Sequence, residues 1–229
     1  MGDLGRSDLV TRRRAPFQPH RPRFVSTPGN AYTETNVTSL SCTLTSPVPV
    51  GATLIAGAKS GGGVSLTTSE IADAGGNTYH LDVVENAGGP VAHIFRATIT
   101  TALAKGSTWT ITPASSSGNW GFTLLLVLGT GPTLDKTATG TGTASVTVNC
   151  ATTAHSPELL VAVASLAGNA VAGTTITPSS GWVDIATGDT NNDFFGMGYQ
   201  IVNTTVTPTC TFTPHTSGLS LVGAIATYS

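Results

Sequence analysis

Leu160-Val161-Ala162-Val163-Ala164 repeats the pattern of Leu54-Ile55-Ala56-Gly57-Ala58, and the residues around both runs repeat with it. Upstream, Ser41-Cys42-Thr43 is echoed by Asn149-Cys150-Ala151. Downstream, Leu81-Asp82-Val83 after Tyr79 meets Val183-Asp184-Ile185 after Trp182, and Trp109-Thr110-Ile111-Thr112-Pro113 meets Cys210-Thr211-Phe212-Thr213-Pro214. Each series then crosses a Ser/Gly turn into an apolar run, Phe122 to Leu128 and Leu219 to Ala226. Five landmarks in one order mark an internal duplication, with copies at about residues 37–131 and 145–229.

The repeated segments read as β-strands. Val91 to Ile99 alternates, with His93, Phe95 and Ala97 on one face and Ile94, Arg96 and Thr98 on the other. Trp109 and Ile111 face one way. Ala52 to Ala58 is small and apolar without alternation, as in a strand packed on both sides. Turn residues recur every few positions, as at Gly61-Gly62-Gly63 and Asp73-Ala74-Gly75-Gly76-Asn77, and no segment has helical periodicity. The expectation is an all-β, jelly-roll-like β-sandwich of eleven or twelve short strands. Neither copy opens with a linker typical of independent domains, which favours one sandwich of two interleaved strand sets over two separate beads. Residues 129–142, rich in Gly, Thr and Pro, read as the connection between the copies.

Charge is scarce and unevenly placed. Only 10% of the 229 residues are charged, against about 25% in ordinary globular chains. So little charge suits a surface covered by partners. Residues 1–24 carry six arginines and two aspartates, whereas the other 205 carry four basic and ten acidic residues. A basic tail on an acidic body implies that the two meet different surfaces. Pro16, Pro19 and Pro22 recur every third residue, the period of polyproline II, with Phe17, His20 and Arg23 on a second edge. Residues 1–24 therefore read as an extended arm that orders on a partner, and residues 25–36 as a linker to the sandwich at 37–229. The expected contact residues are Arg12, Arg13, Arg14, Pro16, Phe17, Pro19, Arg21, Pro22, Arg23 and Phe24. Nucleic acid is not the expected partner, because the acidic body repels it.

The three cysteines, Cys42, Cys150 and Cys210, fit no zinc spacing and form no closed disulfide set, so buried thiols are expected, with a Cys42–Cys150 bridge as the lesser alternative. No apolar segment of signal-peptide or membrane-spanning type is visible, so no export and no membrane insertion are expected. His80, Asp82 and Glu85 suggest a small polar site, but the equivalence of Asp82 with Asp184 favours a structural role. Asp189-Thr190-Asn191-Asn192-Asp193 and the pair Asp73/Asn77 offer oxygen ligands without the glutamate of a calcium loop, and read as polar turns. The five histidines form no metal-binding cluster. Trp120 with Asn119 is the candidate sugar platform, with Trp182 and Tyr79 as further aromatics, although tryptophan is more often core. No catalytic residue, metal or cofactor is expected.

The turn Asp73-Ala74-Gly75-Gly76-Asn77-Thr78-Tyr79 resembles the D-x-x-G-N-T-Y turn-and-strand of structural proteins of tailed bacteriophages, especially of actinobacterial hosts. Ser180-Gly181-Trp182, Tyr199-Gln200-Ile201 and Thr211-Phe212-Thr213 resemble their repeating strand sequence, so that the resemblance spans about residues 40–229. It implies a non-enzymatic virion component, a minor tail or capsid decoration protein assembled in the host cytoplasm. It also implies other virion proteins as partners and a homo-oligomer, a trimer being favoured. A carbohydrate-binding or adhesive module that recognises a host surface glycan is the alternative. The arm matches no known motif.

Overall fold

The computed structural model describes residues 22–33, 35–115, 119–128, 133–166, 176–185, 195–214 and 219–229. Its strands are, in the first half, β1 (Arg23–Ser26), β2 (Asn30–Thr33), β3 (Leu40–Thr43), β4 (Thr53–Ser60), β5 (Ile71–Asp73), β6 (His80–Asn86), β7 (Val91–Thr98), β8 (Thr108–Ile111) and β9 (Trp120–Leu128). The second half contains β10 (Leu134–Gly142), β11 (Val146–Asn149), β12 (Glu158–Leu166), β13 (Ile176–Pro178), β14 (Val183–Asp184), β15 (Phe195–Val202), β16 (Thr209–Pro214) and β17 (Leu221–Tyr228). Among the described residues the one helical element is the 3₁₀ turn Thr68–Glu70. The fold is all-β and antiparallel.

Four sheets form. In the first half β1-β9-β4-β7-β6 makes the larger sheet, with β2 also on β9, and β3-β8-β5 the smaller. In the second half β10-β17-β12-β15-β14 is the larger and β11-β16-β13 the smaller. The strand order is the same in both, with β10 in the place that β1 and β2 share. The duplication read from the sequence is thus a duplication of topology, and its strand landmarks fall on corresponding strands: β4 with β12, β6 with β14, β8 with β16, and β9 with β17. One alignment shifts. Cys42 pairs with Trp109, and Val148 pairs with Cys210. Trp109 matches Cys210, so Cys42 matches Val148 rather than Cys150. The slip of two keeps the side chain on the same face, which is why the sequence did not reveal it.

The expected interleaving does not occur. Among the described residues every strand pairs within its own half. Instead, each half closes its own core between its larger and smaller sheets, and the two larger sheets then pack face to face. The first core holds Leu54, Ala56, Phe95, Trp109, Trp120 and Phe122. The outer core of the second half holds Val148, Ala162, Ala164, Cys210, Phe212 and Ile225. The central core joins Ile55, Ile94, Leu125 and Val127 to Val161, Val163, Met197, Ala224 and Tyr228. β4 and β12 are buried along their whole length because each face meets a different core. This explains the unbroken apolar run, and Leu54/Ile55 and Ala162/Val163 show the alternation hidden inside it.

Two segments read as connections are strands. The stretch assigned to a linker holds the end of β1 and all of β2, both paired with β9. The stretch taken to join the copies holds β10, paired with β17 from Leu134↔Tyr228 to Gly142↔Leu221. Its glycines disguise it. A Cβ on Gly140 would lie 2.8 Å from the Thr147 carbonyl oxygen, and one on Gly142 would collide with that of Ser145, so the close approach of β11 demands glycine.

Candidate functional site

Residues 1–21, and with them Arg12, Arg13, Arg14, Pro16, Phe17, Pro19 and Arg21, lie outside the described residues. The arm's last residues lie inside. Pro22 is buried and Arg23 exposed. The register sets Arg23 opposite Leu128 and Phe24 opposite Val127, with a bulge before Ser26. The arm therefore ends at Pro22, two residues earlier than expected. It runs without a spacer into the edge of the first large sheet. Hydrogen bonds hold this edge down: Ser26 to Ser46 at 3.3 Å between hydroxyl oxygens, and the Thr45 N–H to the Pro28 carbonyl at 2.7 Å.

Trp120 is not a sugar platform. It is 0% exposed inside the first core, where its indole Nε1 has no hydrogen-bond partner among the described residues. At the start of β9 its side chain faces the smaller sheet, so no ring face is open to a ligand. Asn119, half-buried before it, takes the left-handed conformation at φ 66° that asparagine tolerates. Tyr79 is also buried, and Trp182 is half-buried with its Nε1 donating to the Thr209 carbonyl at 3.0 Å.

The acidic candidates carry structure. In the Asp73 turn, Asp73 Oδ1 accepts from the N–H groups of Gly75 (2.9 Å) and Asn77 (3.1 Å), and Oδ2 accepts from Asn77 Nδ2 (3.0 Å) and the Tyr79 hydroxyl (2.8 Å). Asn77 Oδ1 accepts from the Thr100 and Thr101 N–H groups at 2.8 and 2.9 Å, and its Nδ2 donates to the Thr101 carbonyl at 3.0 Å. Gly76 turns at φ 67°, and Gly75 leaves no room for a Cβ. The Asp, Gly, Asn and Tyr of the quoted motif are thus one hydrogen-bonded staple, with its carboxylate oxygens already occupied by donors.

Asp82 does not face His80 as a catalytic pair. A bulge at Asp82 separates the Leu81 and Val83 pairings. The carboxylate, 3% exposed, binds the Arg96 guanidinium at 3.0 Å through Nε and 3.3 Å through Nη2, and accepts from the Tyr228 hydroxyl at 2.8 Å. Arg96 also lies over the Tyr228 ring. This cluster ties β6 and β7 of one half to β17 of the other. The signal for it was the single arginine in the mostly buried β7; its Tyr228 partner, 146 positions away from Asp82 in the chain, left no local trace. His80 is exposed, Glu85 is half-buried, and Asp184 is exposed rather than matching the buried Asp82.

Glu70, also missed in the sequence, accepts from the Thr67 N–H and hydroxyl and from the Ala114 N–H, pinning the 3₁₀ turn to the loop after β8. Asp189–Asp193, His20 and His215 lie outside the described residues. His93 is fully buried, its Nε2 accepting from the Leu66 N–H at 2.9 Å, and burial drives its pKa down to about 4. The three thiols are buried and free, and burial raises Cys42 to about 11 and Cys210 to about 12. Cys42 and Cys150 occupy the two outer cores with the central core between them, which excludes a bridge. No group of three or more metal-ligating side chains occurs among the described residues, and no helix there is long and apolar enough to cross a membrane.

Comparison with protein-family models, curated proteins and solved structures finds no match.

Proposed function

We propose that this chain is a non-enzymatic structural protein of a tailed-phage virion, of the minor tail or capsid decoration type, which attaches to neighbouring virion proteins through its N-terminal arm. One observation carries the attachment: the arm's chain continues directly into β1 on the edge of the first large sheet. Tension or binding on the arm is then borne by main-chain hydrogen bonds to β9 instead of by a slack tether.

The rest of the body suits such a part. Five of its ten carboxylates (Glu70, Asp73, Asp82, Asp135 and Glu158) are engaged in internal contacts. Half of the body's acidic side chains are thus engaged within the fold. In this reading the arm's arginines pair with carboxylates on a neighbouring virion protein. A homo-oligomer, with a trimer favoured, completes the proposal. The glycan-binding alternative loses its leading ring, because Trp120 is inside the core.

The test is deletion of residues 2–21, which leaves β1 intact. The truncated chain is expected to fold, with unchanged thermal unfolding, and to be missing from purified particles. Incorporation at full occupancy would show that the arm is not the attachment.

A further inference from the structure

Asp135 is the second residue of β10 and Glu158 the first of β12, and the loop between β11 and β12 brings them together. The Ala154 N–H donates to Asp135 Oδ2 at 2.6 Å and the next N–H, that of His155, donates to Glu158 Oε1 at 2.9 Å. The two carboxyl groups therefore sit on consecutive amides, whose Cα atoms are about 3.8 Å apart. Glu158 is 0% exposed and the Asp135 side chain 6%. Glu158 Oε2 is sealed from solvent and has no donor.

Two carboxylates so placed repel each other, and neither can donate to the other. A single proton converts the contact into a hydrogen bond and removes one buried charge. We propose that Asp135 and Glu158 share one proton in the folded protein, forming a pH-sensitive clasp that holds the start of the second half. The surrounding groups fit one retained negative charge. Lys136 Nζ lies 2.9 Å from Asp135 Oδ1 and balances that charge. The loop after β11 adds the buried Cys150 and the exposed His155, β15 brings the uncharged Val202, and β17 brings Thr227, whose hydroxyl opposes the effect of burial by favouring the charged form of Glu158. Ser229 pairs by main-chain bonds with Thr133 beside them.

Burial lifts the Glu158 carboxyl above its ordinary range, and the facing Asp135 adds to this. Asp135, against the effect of its own burial, is held low by the Ala154 N–H and Lys136. The pair titrates as a unit, in two steps pushed apart. Because the upper step in the folded state lies above the unfolded glutamate value, the clasp's contribution is complete below that value. It is lost as pH rises through the folded step.

Carboxyl ¹³C NMR titration of the full chain tests this, alongside urea unfolding of the wild type and Glu158→Gln across the same pH range. One carboxyl of the pair should keep its proton well above the ordinary range, and wild-type stability should fall through that step. Glu158→Gln, whose amide donates to Asp135 permanently, should lack that fall and surpass the wild type on its alkaline side. Ordinary titration of Glu158, or the same stability difference at every pH, would overturn the proposal. If the variant does not fold, the NMR titration of the wild type decides alone.

Discussion

At Gly57 the two halves approach closely. A Cβ there would lie 2.5 Å from Met197 Sδ and 2.7 Å from Val163 Cγ1. Gly57 and Val163 are equivalent in the two copies, so here a residue packs against its own counterpart, small against large. A side chain at both positions would collide. Gly57→Ala is expected to destabilise the fold by about 1–3 kcal/mol. Adding Val163→Ala should recover part of that loss, and a double-mutant cycle in urea measures the coupling. His93 gives a second residue-scale expectation. Its folded pKa of about 4 lies below the unfolded value of about 6.5. Stability is therefore full above the unfolded value and is lost as pH falls toward the folded one, because protonation removes the acceptor that holds the Leu66 N–H. His93→Gln should flatten that acid limb in unfolding curves, whereas the wild type loses stability between about pH 6.5 and 4.

Among the elements, the edge strands separate the arm from the body. β1 and β2 together fill the place that β10 fills alone in the second half. Deleting residues 2–21 removes only the arm, but deleting residues 2–33 also strips one side of β9, the strand that carries Trp120, Phe122 and Leu124 into the first core. The longer deletion is expected to lower the melting temperature or give insoluble protein, while the shorter leaves it unchanged. Equal melting temperatures for the two would mean that β1 and β2 contribute nothing to the sheet.

For the whole molecule, the arrangement is that of a dimer written in one chain. Each half has its own core, and the apolar faces of the two larger sheets need each other. Cutting the chain within residues 129–132 is therefore expected to yield two fragments that co-purify one-to-one when expressed together. Expressed singly, each exposes its share of the central core and should self-associate. Light scattering after gel filtration distinguishes these outcomes, and two monomeric, well-folded fragments would contradict the importance of the central core. Asp82→Asn should weaken the reassembly, because it leaves the Arg96 guanidinium in a mostly buried site without its counter-charge.

The sequence alone determined the all-β class, the duplication and most of the strands, because these depend on local alternation and on landmarks recurring in order. It showed that Trp109 and Ile111 share a face and that β4 is covered on both sides. It could not decide what covers that strand. An apolar run has the same composition whether it lies inside one interleaved sandwich or between two stacked ones. Nor did it show β10, where glycine serves close approach to β11, or the use of Asp82, whose partners Arg96 and Tyr228 lie far along the chain. Trp120 was ambiguous for the same reason: a tryptophan at a loop–strand junction serves core or ligand, and only the sheet packed over it decided for the core. Those outcomes depend on which surfaces meet, and pairing between distant surfaces is a property of the tertiary structure.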